Sequence, residues 1–130
     1  MNLPDQHNLP GLILVAHPDR EYSARICQAF ESRGWKVRTA ATGGELRRLA
    51  RRLCPPAVLL AAEIADESGW LICDKLVRQQ PSLRVYLITD AVNEENRHFA
   101  EFVGAAGLFS PEDDVCQAVD EAFAAASSAG

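Results

Sequence analysis

Two kinds of segment alternate along this chain. Leu12–Ala16, Ala57–Ala62 and Leu83–Thr89 are short continuous runs of Leu, Ile, Val and Ala, and Trp35–Ala40 and Gly107–Phe109 are weaker extended runs. A strand with one wet face alternates apolar and polar residues, whereas a strand covered on both faces has no polar side to show. The continuous runs therefore predict strands of a parallel sheet buried between two layers.

Amphipathic stretches separate the runs. In Glu21–Arg33, Tyr22, Ile26, Ala29 and Phe30 share one helical face, and Gly34 offers a left-handed stop. Gly43–Leu53 repeats the pattern with Leu46, Leu49 and Leu53 ahead of Pro55-Pro56. Trp70–Arg78 presents Leu71, Leu76 and Val77 before Pro81. Asn93–Val103, with Phe102 and Val103 on its inward stripe, ends at Gly104. Val115–Ala125 follows with Asp113 or Asp114 as its cap, or with an earlier start that puts Pro111 at the first helical position. Five strand–helix repeats imply right-handed crossovers and helices on both faces of one sheet. The fold class expected is α/β, a doubly wound, flavodoxin-like five-stranded parallel sheet of order 2-1-3-4-5 with five helices. Residues 1–10 read as a flexible arm, 11–125 as the domain, and 126–130 as a tail or the start of a linker.

Charge and cysteine content narrow the function classes. The chain has 130 residues, a net charge of -5 and 24% charged residues, which argues against a direct grip on nucleic acid. Its one basic cluster, Arg47, Arg48, Arg51 and Arg52, lies at helical spacing and reads as a solvated face. Cys27, Cys54, Cys73 and Cys116 lack metal-ligand spacing and read as buried free thiols. No apolar run is long enough for a membrane span, so the expectation is a cytoplasmic protein with no membrane partner.

In a doubly wound sheet, chemistry collects where strands end at their carboxyl edge. Those ends are Ala16-His17-Pro18-Asp19, Ala61-Ala62-Glu63, Thr89-Asp90-Ala91 and Ser110-Pro111-Glu112. Four segments there, LILVAHPDREYSARICQAFESRGWKV, PAVLLAAEIADESGWLICDKL, VYLITDA and FVGAAGLFSPED, resemble response-regulator receiver domains over roughly residues 11–125. Gly69, eight residues after Ala61, matches the family's distance from phosphoacceptor aspartate to loop glycine.

The resemblance implies a site built from an acidic pair that binds Mg²⁺, an aspartate nucleophile, a hydroxyl, a lysine and a switch aromatic. Mapped residue by residue, the acidic pair falls on His17 and Pro18, with Asp19 adjacent, and the nucleophile on Ala61. The lysine falls on Pro111, or Ser110 with a one-residue shift, and the switch aromatic on Leu108; Thr89 alone keeps the expected side chain. The sequence therefore reads as a degenerate pseudo-receiver of two-component-type signalling, with no catalytic residue, no metal site and no cofactor, Mg²⁺ included. It would act on a signalling partner or effector domain, or as a homodimer through the face of the fourth helix, fifth strand and fifth helix, with Phe99, Leu108 and Phe109 as contact candidates. The alternatives are a phospho-switch with Asp19, Glu63 or His17 as acceptor, or a small-ligand module on the same fold. Glu63 is expected to sit away from the pocket. The second alternative lacks a Gly-rich phosphate loop after the first strand, and an enzyme lacks any nucleophile–base pair.

Overall fold

The computed structural model describes residues 11–64 and 66–129. The arm expected over residues 1–10 lies outside the described residues. Ten elements follow in strict alternation: β1 Leu12–Ala16, α1 Arg20–Ser32, β2 Lys36–Thr39, α2 Gly43–Leu53, β3 Ala57–Ala61, α3 Gly69–Gln79, β4 Arg84–Ile88, α4 Glu94–Phe102, β5 Gly107–Phe109 and α5 Val115–Ala129. The last helix runs past the Ala125 boundary expected for it. All strand pairs are parallel and the order is β2-β1-β3-β4-β5, the flavodoxin-like topology.

Alternate residues of each central strand feed opposite sides of the sheet. Leu14, Val58, Leu60, Val85 and Leu87 pack with Leu46 and Leu49 of α2, Ile72 and Leu76 of α3, and Ala100 of α4. Ile13, Val15, Leu59, Tyr86 and Ile88 pack with Tyr22, Ile26 and Phe30 of α1 and Val115 and Val119 of α5. The second layer is closed at its edge by Trp35, whose ring lies edge-on to Phe30 and Phe123 and whose Nε1–H donates to Asp120 at 2.8 Å. The helix ends follow local chemistry. Asp19 Oδ1 accepts from the Glu21 and Tyr22 amides, Thr42 caps α2 and Asn93 caps α4. Asp114, one of the two expected caps of α5, accepts from the Gln117 amide.

Three expectations need correction. Phe102 is 81% exposed, because the inner face of α4 is set by Ala100 and Val103. Leu71 is 48% exposed, because α3 buries Gly69, Ile72, Cys73 and Leu76, an i, i+3, i+4, i+7 stripe that leaves Leu71 to one side. Of the four thiols only Cys73 and Cys116 are buried; Cys27 is half-buried and Cys54, in the left-handed conformation that ends α2, is exposed. Burial pushes the Cys73 thiol up to about 12 and the Cys116 thiol to about 11, so both stay protonated at neutral pH. No helix among the described residues is long and apolar enough to cross a membrane.

The glycine eight residues after Ala61 has a purely steric explanation. A Cβ on Gly69 would collide with the Ala61 carbonyl oxygen and stand 2.9 Å from the Ala62 carbonyl carbon. The start of α3 thus rests on the end of β3, sealed by a 2.8 Å bond from the Gly69 amide to Ala62 O. Gly69→Ala is expected to lose about 2–3 kcal/mol of unfolding free energy in urea titration, the cost of overpacking a rigid contact. A loss below about 0.5 kcal/mol would mean that the junction yields without strain.

Candidate functional site

Register fixes where the strand ends meet. Ala16 pairs with Leu60, Ala61 with Ile88, and Ile88 with Phe109, so His17, Ala61, Thr89 and Ser110 leave the sheet at one edge. Two bonds hold the rim level: Ala62 N donates to Ile88 O at 2.8 Å and Thr89 N to Phe109 O at 2.9 Å. The segments enclose a cleft of about 460 Å³ lined by His17, Pro18, Asp19, Tyr22, Arg25, Ala61, Ala62, Glu63, Ile88, Thr89, Asp90, Ala91 and Pro111. The cleft therefore draws residues from all four strand ends singled out in the sequence, although Ala16, Ser110 and Glu112 are not in its lining. Glu63 needs a correction: β3 stops at Ala61, and a bridge to Ser68 turns the chain so that Glu63 lines the cleft.

Three polar side chains of the cleft, His17, Asp19 and Thr89, are engaged in shaping its own loops. His17 Nδ1 accepts from the Asp19 amide at 3.0 Å, which leaves Nε2 as the nitrogen available for a proton. Its ring lies 4.6 Å from that of Tyr22. Desolvation lowers the His17 pKa below its ordinary 6.5, with Asp19 and Asp90 opposing the shift. Asp19 spends Oδ1 on two amides of α1. Thr89 Oγ1 accepts from the Ala91 amide at 3.2 Å, and Ser110 Oγ accepts from the Glu112 amide at 3.3 Å. Tyr22 is buried, its hydroxyl has no hydrogen-bond partner among the described residues, and burial raises its pKa to about 12.

Ala61 forms the floor at 4% exposure, and a methyl group supplies neither a nucleophile nor a metal ligand. The lining holds three carboxylates, Asp19, Glu63 and Asp90, against one guanidinium, Arg25, and Pro111 stands where a cation is expected. An entering anion meets net negative charge here, opposite to what phosphate recognition requires.

Behind the cleft, the β3–α3 loop is tied to α2 in a way the sequence reading missed. Asp66 accepts from the Gly43 and Gly44 amides at 2.7 and 3.2 Å, and the Gly43 bond leads the causes that hold its carboxyl below the usual range. Glu67 lies between Arg47 at 2.9 Å and Lys75 at 3.6 Å. One Arg of the basic cluster therefore serves this loop. The only sequence signals were the acidic pair Asp66-Glu67 ahead of α3 and the separate Gly-Gly start of α2, and they connect only once α2 and α3 are known to be neighbours.

The three residues named for a contact face differ in burial. Leu108 and Phe109 are partly buried and pack into opposite core layers, because consecutive residues of β5 point to opposite faces. Phe99 is 42% exposed as expected, but its aromatic neighbours are Trp70 of α3 and Phe102, not β5.

Comparison with known proteins agrees with this geometry. No family model matches the chain. The probable transcriptional regulatory protein TcrX of Mycobacterium tuberculosis is 32% identical over 105 residues, 81% of this chain. The chain spans 42% of the length of that curated relative. Among solved structures, a CheY-like response regulator receiver domain protein of Methanospirillum hungatei superposes with a TM-score of 0.83 at 21% identity, covering 92% of this chain and 98% of that one. The signal receiver domain of the putative response regulator NarL of M. tuberculosis gives 0.77 at 20% identity, over 85% and 94% of the two chains. The strand order and the strand-end cleft are those of response-regulator receiver domains: the chain has the receiver-domain fold and is similar in sequence to a transcriptional regulatory protein.

Proposed function

We propose that this receiver domain signals without aspartyl phosphate and works as a pseudo-receiver, through contacts with a partner protein. The observation that carries the reading is Ala61, buried at the end of β3 in the cleft floor, where the lining also includes His17 and Thr89 and where a methyl group stands in place of a carboxylate. The residues around it support the same conclusion. Pro18 has no side-chain donor, one oxygen of Asp19 is committed to capping α1, and His17 is a nitrogen ligand held by a backbone amide. Such a set does not fit Mg²⁺, which takes oxygen ligands in near-octahedral geometry. Nor does the cleft offer a lysine to neutralise a phosphoryl group.

The alternative acceptors have weaker support. Phosphorylating Asp19 would turn the carboxylate that caps α1 into a weaker, neutral carbonyl acceptor. His17 Nε2 and Glu63 face a cleft whose other charges are mostly negative. The M. tuberculosis relative is a probable transcriptional regulatory protein, which suggests a role in transcriptional control that this domain would exert through protein contacts and not by binding DNA itself.

Intact-mass measurement after incubation with acetyl phosphate and Mg²⁺ is expected to show only the unmodified chain. An adduct of one phosphoryl group would overturn the reading, and its loss in Glu63→Gln, Asp19→Asn or His17→Asn would name the acceptor. A second test concerns His17. Its folded pKa lies below its unfolded value, so the unfolded chain binds the proton first as pH falls. The stability linked to this group is complete above pH 6.5 and is lost as pH falls through 6.5 toward the folded pKa. An NMR titration is expected to place the His17 midpoint below 6.5, and a midpoint above 7 would show an ion pair that this geometry lacks.

A further inference from the structure

The large hydrophobic side chains that stand exposed among the described residues are Phe102, Leu71 and Phe99. All three line a single groove of about 230 Å³ between α3 and α4, together with Trp70, Val103 and the Asp74–Arg78 ion pair. The rings form a continuous row. Trp70 and Phe99 have centroids 4.9 Å apart, and Phe99 stacks on Phe102 at 6.4 Å and 10°. A second hollow, lined by Glu95, Asn96 and His98, opens on the same two phenylalanines.

The fold does not require these rings to be aromatic. Ala100 and Val103 already anchor α4, and a phenylalanine left 81% exposed contributes almost no burial. With about 200 Å² for a whole aromatic side chain, the three exposed residues offer roughly 300–400 Å² of apolar surface. A standard interface takes about 800 Å² from each partner, so a two-fold dimer through this patch alone is undersized. Its charge is also wrong for self-association. The α4 helix carries Glu94, Glu95 and Glu101 against Arg97. At the hollow beside the groove Glu95 is the unpaired charge among the described residues, so in an isologous contact like charge meets like. A narrow groove with a row of rings and an acidic border suits one amphipathic helix with basic flanks.

We infer that the α3–α4 groove docks an amphipathic segment of a partner protein. That segment presents apolar side chains at i and i+3 or i+4 toward Phe99 and Phe102, with Lys or Arg facing Glu95. The inference rests on the reading that the domain acts through protein contacts, and it places the contact away from β5.

Selection of helical peptides from a random display library against the purified domain tests it. Enriched peptides are expected to carry that apolar spacing and basic flanks, to perturb Trp70 fluorescence, and to weaken as salt rises. Their affinity should fall at least about tenfold for Phe102→Ser, a surface change that leaves the core intact. Enriched peptides that bind Phe102→Ser as tightly as the parent, or that carry acidic flanks, overturn the groove assignment and leave the protein-contact reading standing. Failure to enrich any sequence counts against both. Sedimentation showing a dimer that Phe102→Ser dissociates would make a second copy the occupant and overturn the inference.

Discussion

A charge removed from water must be met by an opposite charge or by hydrogen bonds, and at residue 61 that constraint governs the whole cleft. The end of β3 is covered by Gly69 against its carbonyl, flanked by the ends of β1 and β4, and almost closed to solvent. A carboxylate placed there needs cations around it, and a phosphorylated one needs more of them. Alanine removes the requirement. With it removed, the other positions no longer have to be acidic or cationic, and they are occupied by Pro18, Pro111 and a histidine that desolvation keeps neutral. The three carboxylates that remain are at the rim, where solvent screens them.

The same constraint explains what stays. The β3–α3 loop leaves residue 61 and must return to start α3, so its conformation cannot be left free. Asp66 on the α2 amides and Glu67 between Arg47 and Lys75 hold it, and Gly69 seals the return. These contacts lie outside the cleft and involve no group that phosphate would touch. The loop is fixed by the fold itself.

The architecture was legible because burial on two faces forces continuous apolar runs, and β1, β3 and β4 have them. The strand-end positions of the cleft followed from the topology, since register in a parallel sheet carries each end to the same edge. What could not be read were features set by neighbours distant in sequence. Glu63 enters the cleft only because of the bridge to Ser68, and Asp66 finds its partners twenty-odd residues back along the chain. Phe102 and Leu71 are different, because periodicity did hold the answer. Successive helical residues point about 100° apart, and the stripe through Gly69, Ile72, Cys73 and Leu76 excludes Leu71. In α4, Ala100 and Val103 define the inner face, and bulky Phe102 was wrongly placed beside them.

By the proposed reading, the cleft is stable without a charge at residue 61 and without a cation to meet one. Unfolding free energy of Ala61→Asp, measured across pH with and without millimolar Mg²⁺, tests it most directly. The buried carboxyl should have a folded pKa above its unfolded value of about 4, so the variant should match the parent most closely at acid pH. It should lose about 1–3 kcal/mol as pH rises through that folded pKa, with Mg²⁺ making no difference. A Mg²⁺-dependent recovery of stability at neutral pH would show an intact metal site and contradict the account.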